Sequence, residues 1–158
     1  MNRRPMIAFA IAPLWIVLYA ILFGIMAWTH TDPILSEMTA AELIGTAGAA
    51  GFTVAYILMV IAGLPCHLLL KAKRLERLHH YVISAFVCGV ALRFISIAAT
   101  WLWIAYQDNL QFGIVGKELR DAVLHQPTRL LIFGLVGALV GATFWLIARP
   151  DLQQSTKD

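Results

Sequence analysis

At 158 residues, 60% apolar and only 13% charged, the chain departs from a soluble domain, which is about 45–50% apolar and about 25% charged. One all-α integral membrane unit spanning residues 1–158 is expected, with no room for a separate soluble domain beside several membrane spans. The net charge of +3 and pI near 9.1 do not point to DNA or RNA, because the basic residues cluster at the edges of apolar runs, where they set orientation.

The first apolar run, residues 6–28, follows Arg3 and Arg4 and is longer than the roughly 7–15 residues of a signal-peptide core. It reads as an uncleaved span. Pro13 removes a backbone donor, frees the Phe9 carbonyl and kinks the helix. Trp15 and Tyr19 share a face, and Trp28 marks an interface. The connection that follows holds Asp32 and Glu37 and no lysine or arginine, as outer loops do.

Thr39 and Glu42 have the capping-box spacing, so a second helix starts there. This second span, residues 42–64, is rich in small residues. Gly45, Gly48, Ala49 and Gly51 let another backbone approach closely, which predicts a buried helix with small-residue pairs at Gly45/Ala49 and Ala47/Gly51. Gly63-Leu64-Pro65 is expected to end or bend it. Residues 66–80 then alternate leucines with Lys71, Lys73, Arg74 and Arg77, as an amphipathic turn in the headgroup layer does. With both termini, this side carries about eight lysines and arginines against three in residues 107–129, which predicts four spans with both ends inside.

The third span, residues 81–106, carries Arg93 near its midpoint. A guanidinium within hydrocarbon costs at least about 2.5–3.5 kcal/mol, so it is expected to face a bundle interior, a wet cavity or a partner. Three readings of Arg93 stand open: a structural donor to the Tyr56 and Thr53 hydroxyls and to helix carbonyls, an anion or headgroup ligand in a water-filled cavity, or the counterpart of a carboxylate on a partner's membrane helix. Trp101, Trp103 and Tyr106 suit an interface. In residues 107–129, Phe112, Val115, Leu119, Ala122 and Val123 recur at helical spacing among charges, which predicts a short amphipathic surface helix. The fourth span, residues 130–148, holds Gly137 and Gly141 in a GxxxG pair with Gly134 a turn earlier, suited to packing within the bundle or between two copies. A short polar tail follows it.

Catalysis requires convergent ionisable groups, and the spans offer no carboxylate beyond Glu42 at an edge. A non-enzymatic protein without cofactors is therefore expected. Cys66, His67, His79, His80 and Cys88 are metal-ligand types without the spacing of a zinc motif; His79 and His80, as neighbours in a helix, are expected to point to different faces. A disulfide between Cys66 and Cys88 is not expected.

In plan the chain resembles small four-helix inner-membrane proteins of Gram-negative bacteria, in its LPCHLLLK junction and its GALVGATFWLIARPD end. It is similar in architecture to the immunity proteins against pore-forming bacterial toxins, four-span proteins with both ends inside. That resemblance implies lateral contact with a toxin, or another membrane protein, in the inner membrane. A small transporter or channel subunit with Arg93 in an anion-selecting cavity is the alternative; a haem- or quinone-linked subunit is a third. Partners implied are the lipid bilayer, a membrane protein and a second copy of the chain.

Overall fold

The structure is a computed structural model that describes residues 3–29, 39–73, 75, 77–107, 113–125 and 127–148. Seven α-helices follow in chain order among these residues: α1 (Arg3–Ile11), α2 (Leu14–Thr29), α3 (Ala40–Leu58), α4 (Leu64–Ala72), α5 (Leu78–Gln107), α6 (Gly113–His125) and α7 (Pro127–Ala148). Four segments are long and apolar enough to cross a membrane: Arg4–Met26, Ala40–Ala72, Leu78–Gln107 and Pro127–Ala148. The acidic connection with His30, Asp32 and Glu37, the loop to Phe112, and the tail after Ala148 lie outside the described residues.

Pro13 breaks the first span into α1 and α2. The ladder resumes on its far side with the Ile16 N–H donating to the Pro13 carbonyl at 2.9 Å. The polar group left at the break is met from the second span, where the Tyr56 hydroxyl donates to the Ala10 carbonyl. The break at Pro13 is as expected, but the carbonyl that Tyr56 meets is that of Ala10, not the Phe9 carbonyl expected to be freed, and Tyr56 is a side chain expected to partner Arg93.

The second span differs from expectation in two ways. Its start is as predicted: the Glu42 N–H donates to Thr39 Oγ1 at 3.3 Å and the Thr39 N–H to Glu42 Oε2 at 2.9 Å. At Gly63-Leu64-Pro65, expected to end or bend it, the helix does not stop. A π-helical turn, Met59–Gly63, joins α3 to α4, with the Leu64 N–H reaching back five residues to the Met59 carbonyl. Widening the ladder by one residue accommodates Pro65, which has no N–H to donate, and the span continues for 33 residues, about 50 Å at 1.5 Å per residue. Of the residues predicted as a separate amphipathic turn, 66–72 are thus the continuation of this helix and 78–80 open α5. Nor is the glycine-rich helix the buried one. Only 6% of its most apolar window is buried, against 17% for the first and fourth spans.

The four spans lie in the order two, one, four, three. Helix α2 packs on α3, α1 and α2 on α7, and α7 on α5, whereas α3 and α5 do not pack against each other along their length. The second and third spans approach through α4 and α5, where His67 Nδ1 lies 3.0 Å from the Tyr81 hydroxyl. At that end, which also carries α1 and Ala148, sits the core: Ala8, Ala12, Met59, Tyr81, Phe144 and Ala148. At the other end α6 packs on α5 and α7. It is a helix as predicted, with Val115 and Leu119 half-buried, Val123 exposed, and Asp121 and His125 one turn apart at 3.5 Å.

Small residues make the tightest seam. A Cβ at Gly137 would overlap the Ala85 carbonyl oxygen, one at Gly89 the Phe133 carbonyl oxygen, and one at Gly141 would stand 2.5 Å from the Tyr81 carbonyl oxygen. The GxxxG face of the fourth span is therefore occupied within the chain, by the third.

Candidate functional site

Arg93 follows Gly89 by four residues and so continues the face of α5 that packs on the fourth span. Its guanidinium lies over the Phe133 ring, 5.2 Å from the centroid, a cation–π contact worth about 0.5–2 kcal/mol according to its desolvation. Phe133 in turn meets the edge of Tyr19, centroids 5.3 Å apart, and Tyr19 stacks with Phe23. Arg93 Nε is buried and has no hydrogen-bond partner among the described residues.

This geometry changes the expectation for Arg93 twice. Tyr56 donates to Ala10, and Thr53 donates to the Ala49 carbonyl of its own helix at 3.0 Å, so neither hydroxyl is the predicted partner. Also, Phe133 is only the seventh residue of α7. The midpoint of the long third span is thus level with the opening turns of the shorter fourth, not with its centre, and the rest of α5 runs on beside α6.

The larger feature is a cavity of about 410 Å³ between the second and third spans. Val54, Leu58, Met59 and Ala62 form one wall, Ser84, Cys88, Leu92 and Ile95 the other, and Phe133, Val136, Gly137 and Val140 the floor. It exists because spans two and three are held apart: each packs on the span behind it, and α3 and α5 do not pack on each other along their length. The π-helical turn borders it, and its Gly63 lies under Met59, whose sulfur would be 2.6 Å from an added Cβ.

The cavity's polar pole is at the α4 end. The ring of His67 is gripped by Phe9, Tyr81 and Phe144, centroids 6.3, 5.9 and 5.0 Å away, and its Nδ1 lies 3.0 Å from the Tyr81 hydroxyl. Ser84 donates to the Tyr81 carbonyl at 3.2 Å. Cys66 and Cys88 are free thiols on the same lining. Arg93 is not among the lining residues.

Of the small residues predicted to pack, Gly51 meets the first span, where an added Cβ would be 2.6 Å from Ala20 Cβ. Gly48 faces Ile21 at 3.6 Å, and Gly45 has nothing within 4 Å. Gly137 and Gly141 meet α5 as described. Trp15 and Tyr19 both face the fourth span as their shared face implied, Trp15 Nε1 donating to Thr143 Oγ1 at 2.9 Å. His79 and His80, expected on different faces, bring their rings to 4.0 Å; in the first turn of α5 side chains lean back toward the helix start and converge there. Among the described residues no three histidine, cysteine or acidic side chains come together as a metal site would need.

Sequence reasoning missed the cavity lining. The signal was present as Tyr81, Ser84, Ala85, Cys88 and Gly89, small or polar residues recurring at three- and four-residue spacing on one stripe of the third span. No protein-family model, curated protein or solved structure matches the chain.

Proposed function

We propose that this is a non-enzymatic protein of the bacterial inner membrane, with both termini in the cytoplasm, that acts by lateral contact with another membrane protein. Its most concrete form is an immunity protein that meets the hydrophobic hairpin of a pore-forming toxin and prevents pore opening. The observation that carries the reading is the unclosed side of the bundle. The second and third spans do not pack on each other along their length, and on the second span the small residues Gly45 and Ala49 stand exposed, where a partner helix gains close backbone approach.

Arg93 supports the same reading, because its buried Nε lacks an acceptor among the described residues and a partner's carboxylate or carbonyl would supply one. The anion-selecting channel is less well supported, since the cavity wall does not include Arg93. Co-expression with membrane-targeting toxins tests the proposal. Protection against one of them, lost in Gly45→Leu with normal insertion, supports it. Absence of protection against a panel of such toxins, with anion flux in liposomes that Arg93→Ala alters, overturns it in favour of the channel.

A further inference from the structure

We propose that the cavity between the second and third spans is a binding site for one anionic phospholipid, with an acyl chain in the cleft, a glycerol-ester carbonyl at His67 and the headgroup phosphate at Lys71. The volume, about 410 Å³, lies in the range of roughly 300–1,000 Å³ that ligand sites occupy, and the lining is overwhelmingly apolar, with His67, Tyr81, Ser84 and two thiols gathered toward one end and Ser96 alone toward the other. That asymmetry is the shape of an amphiphile: a long dry trough closed by a polar pole.

The pole is built, not incidental. His67 is fixed by three aromatic neighbours, and its Nδ1 is engaged by the Tyr81 hydroxyl. When the phenol donates, Nε2 carries the proton, and a cavity-lining imidazole presents one N–H to a ligand acceptor. A neutral donor suits an ester carbonyl. Lys71 follows His67 by four residues on α4, so its ammonium is on the same helix face one turn nearer the helix end, and both Lys71 and, across the turn, Lys73 and Arg77 are exposed. Carbonyl and phosphate of a diacyl lipid are separated along the molecule in the same order.

Charge complementarity selects an anionic headgroup, because each cation near a membrane surface adds attraction to acidic lipid. The π-helical turn contributes by shaping the wall beside the pole: Met59, Ala62 and Gly63 all line the cleft, and π-bulges recur at functional sites. The trough has no lid on the side between the two spans, so a chain enters sideways from the bilayer without passing through water.

Native mass spectrometry of the intact protein released from nanodiscs of equimolar phosphatidylglycerol and phosphatidylethanolamine tests the site. The expected result is one retained phosphatidylglycerol per chain. Lys71→Gln, an exposed change, lowers that retention about fivefold, and His67→Leu lowers it by about the same factor through loss of one hydrogen bond. Ala62→Phe, which fills the trough, abolishes it, with helix content by circular dichroism checked for each variant. Equal retention of the two lipids, retention indifferent to Lys71→Gln and Ala62→Phe, or a quinone retained in the lipid's place from native membranes overturns the proposal.

Discussion

The hairpin of the third and fourth spans and the hairpin of the first and second both carry glycine and alanine at four-residue spacing, yet they use it differently. In the former, Gly89, Gly134, Gly137 and Gly141 all lie against the opposite helix, with backbone oxygens or the Phe86 ring where a Cβ would go. In the latter, Gly51 and Gly24 are in contact across the pair and Gly45 is open. A small residue is therefore a licence for close approach, and only the register of the neighbouring helix decides whether it is taken up. The closed hairpin is scaffold, and the half-open one leaves a face to be covered by lipid or by a partner.

The sharpest way to break the comparison is Gly137→Leu. Overpacking a helix seam costs about 1–3 kcal/mol when neighbours can shift, and here the neighbour is the Ala85 backbone oxygen, which cannot move without displacing α5. The expected outcome is a loss at or above the top of that range, seen as aggregation or a strongly lowered melting temperature in detergent.

Next in size is Tyr56→Phe, which tests how the looser hairpin is tied. It removes the donor to the Ala10 carbonyl at the Pro13 break and leaves a polar group without its partner, at a cost of about 1–3 kcal/mol; thermal unfolding measures it. Thr39→Ala removes the capping box of α3 and lowers stability by about 1 kcal/mol, with increased hydrogen exchange confined to the first turn of α3. Smallest is Gly45→Leu, where nothing lies within 4 Å: stability changes by no more than about 0.5 kcal/mol, and the change is felt only by whatever covers that face. A large loss at Gly45 would mean that the face is occupied within the chain after all.

Helix positions, the Pro13 break, the Thr39–Glu42 cap and the short helix before the fourth span were legible in the sequence because each rests on local chemistry: hydropathy, a missing donor, a side chain that reaches its own backbone. What was not legible depends on the order of helices in the bundle. Glycine content pointed to the second span as the buried one, but the central positions belong to the first and fourth. Depth of Arg93 was read from its own span, whereas the third and fourth spans differ in length, 30 residues against 22, and their register puts Arg93 beside Phe133. Pro65 read as an end or a bend because a proline interrupts an α-ladder; the π-helical turn carries the helix past it by shifting the ladder one residue. The cavity follows from all three and so had no signature of its own beyond the stripe on the third span.

That the second and third spans stand apart is the central claim, and disulfide trapping in membranes tests it most directly. With Cys66 and Cys88 replaced by alanine, Gly24→Cys paired with Ala47→Cys marks a closed seam, where a Cβ at Gly24 would stand 3.1 Å from the Ala47 Cβ, close to the roughly 3.5–4.5 Å a disulfide needs, and Val54→Cys paired with Ile95→Cys faces across the cavity. The structure predicts rapid cross-linking of the first pair and none of the second under mild oxidant. Equally rapid cross-linking of Val54→Cys with Ile95→Cys would show a closed bundle, and with it neither a free helix face nor a lipid trough.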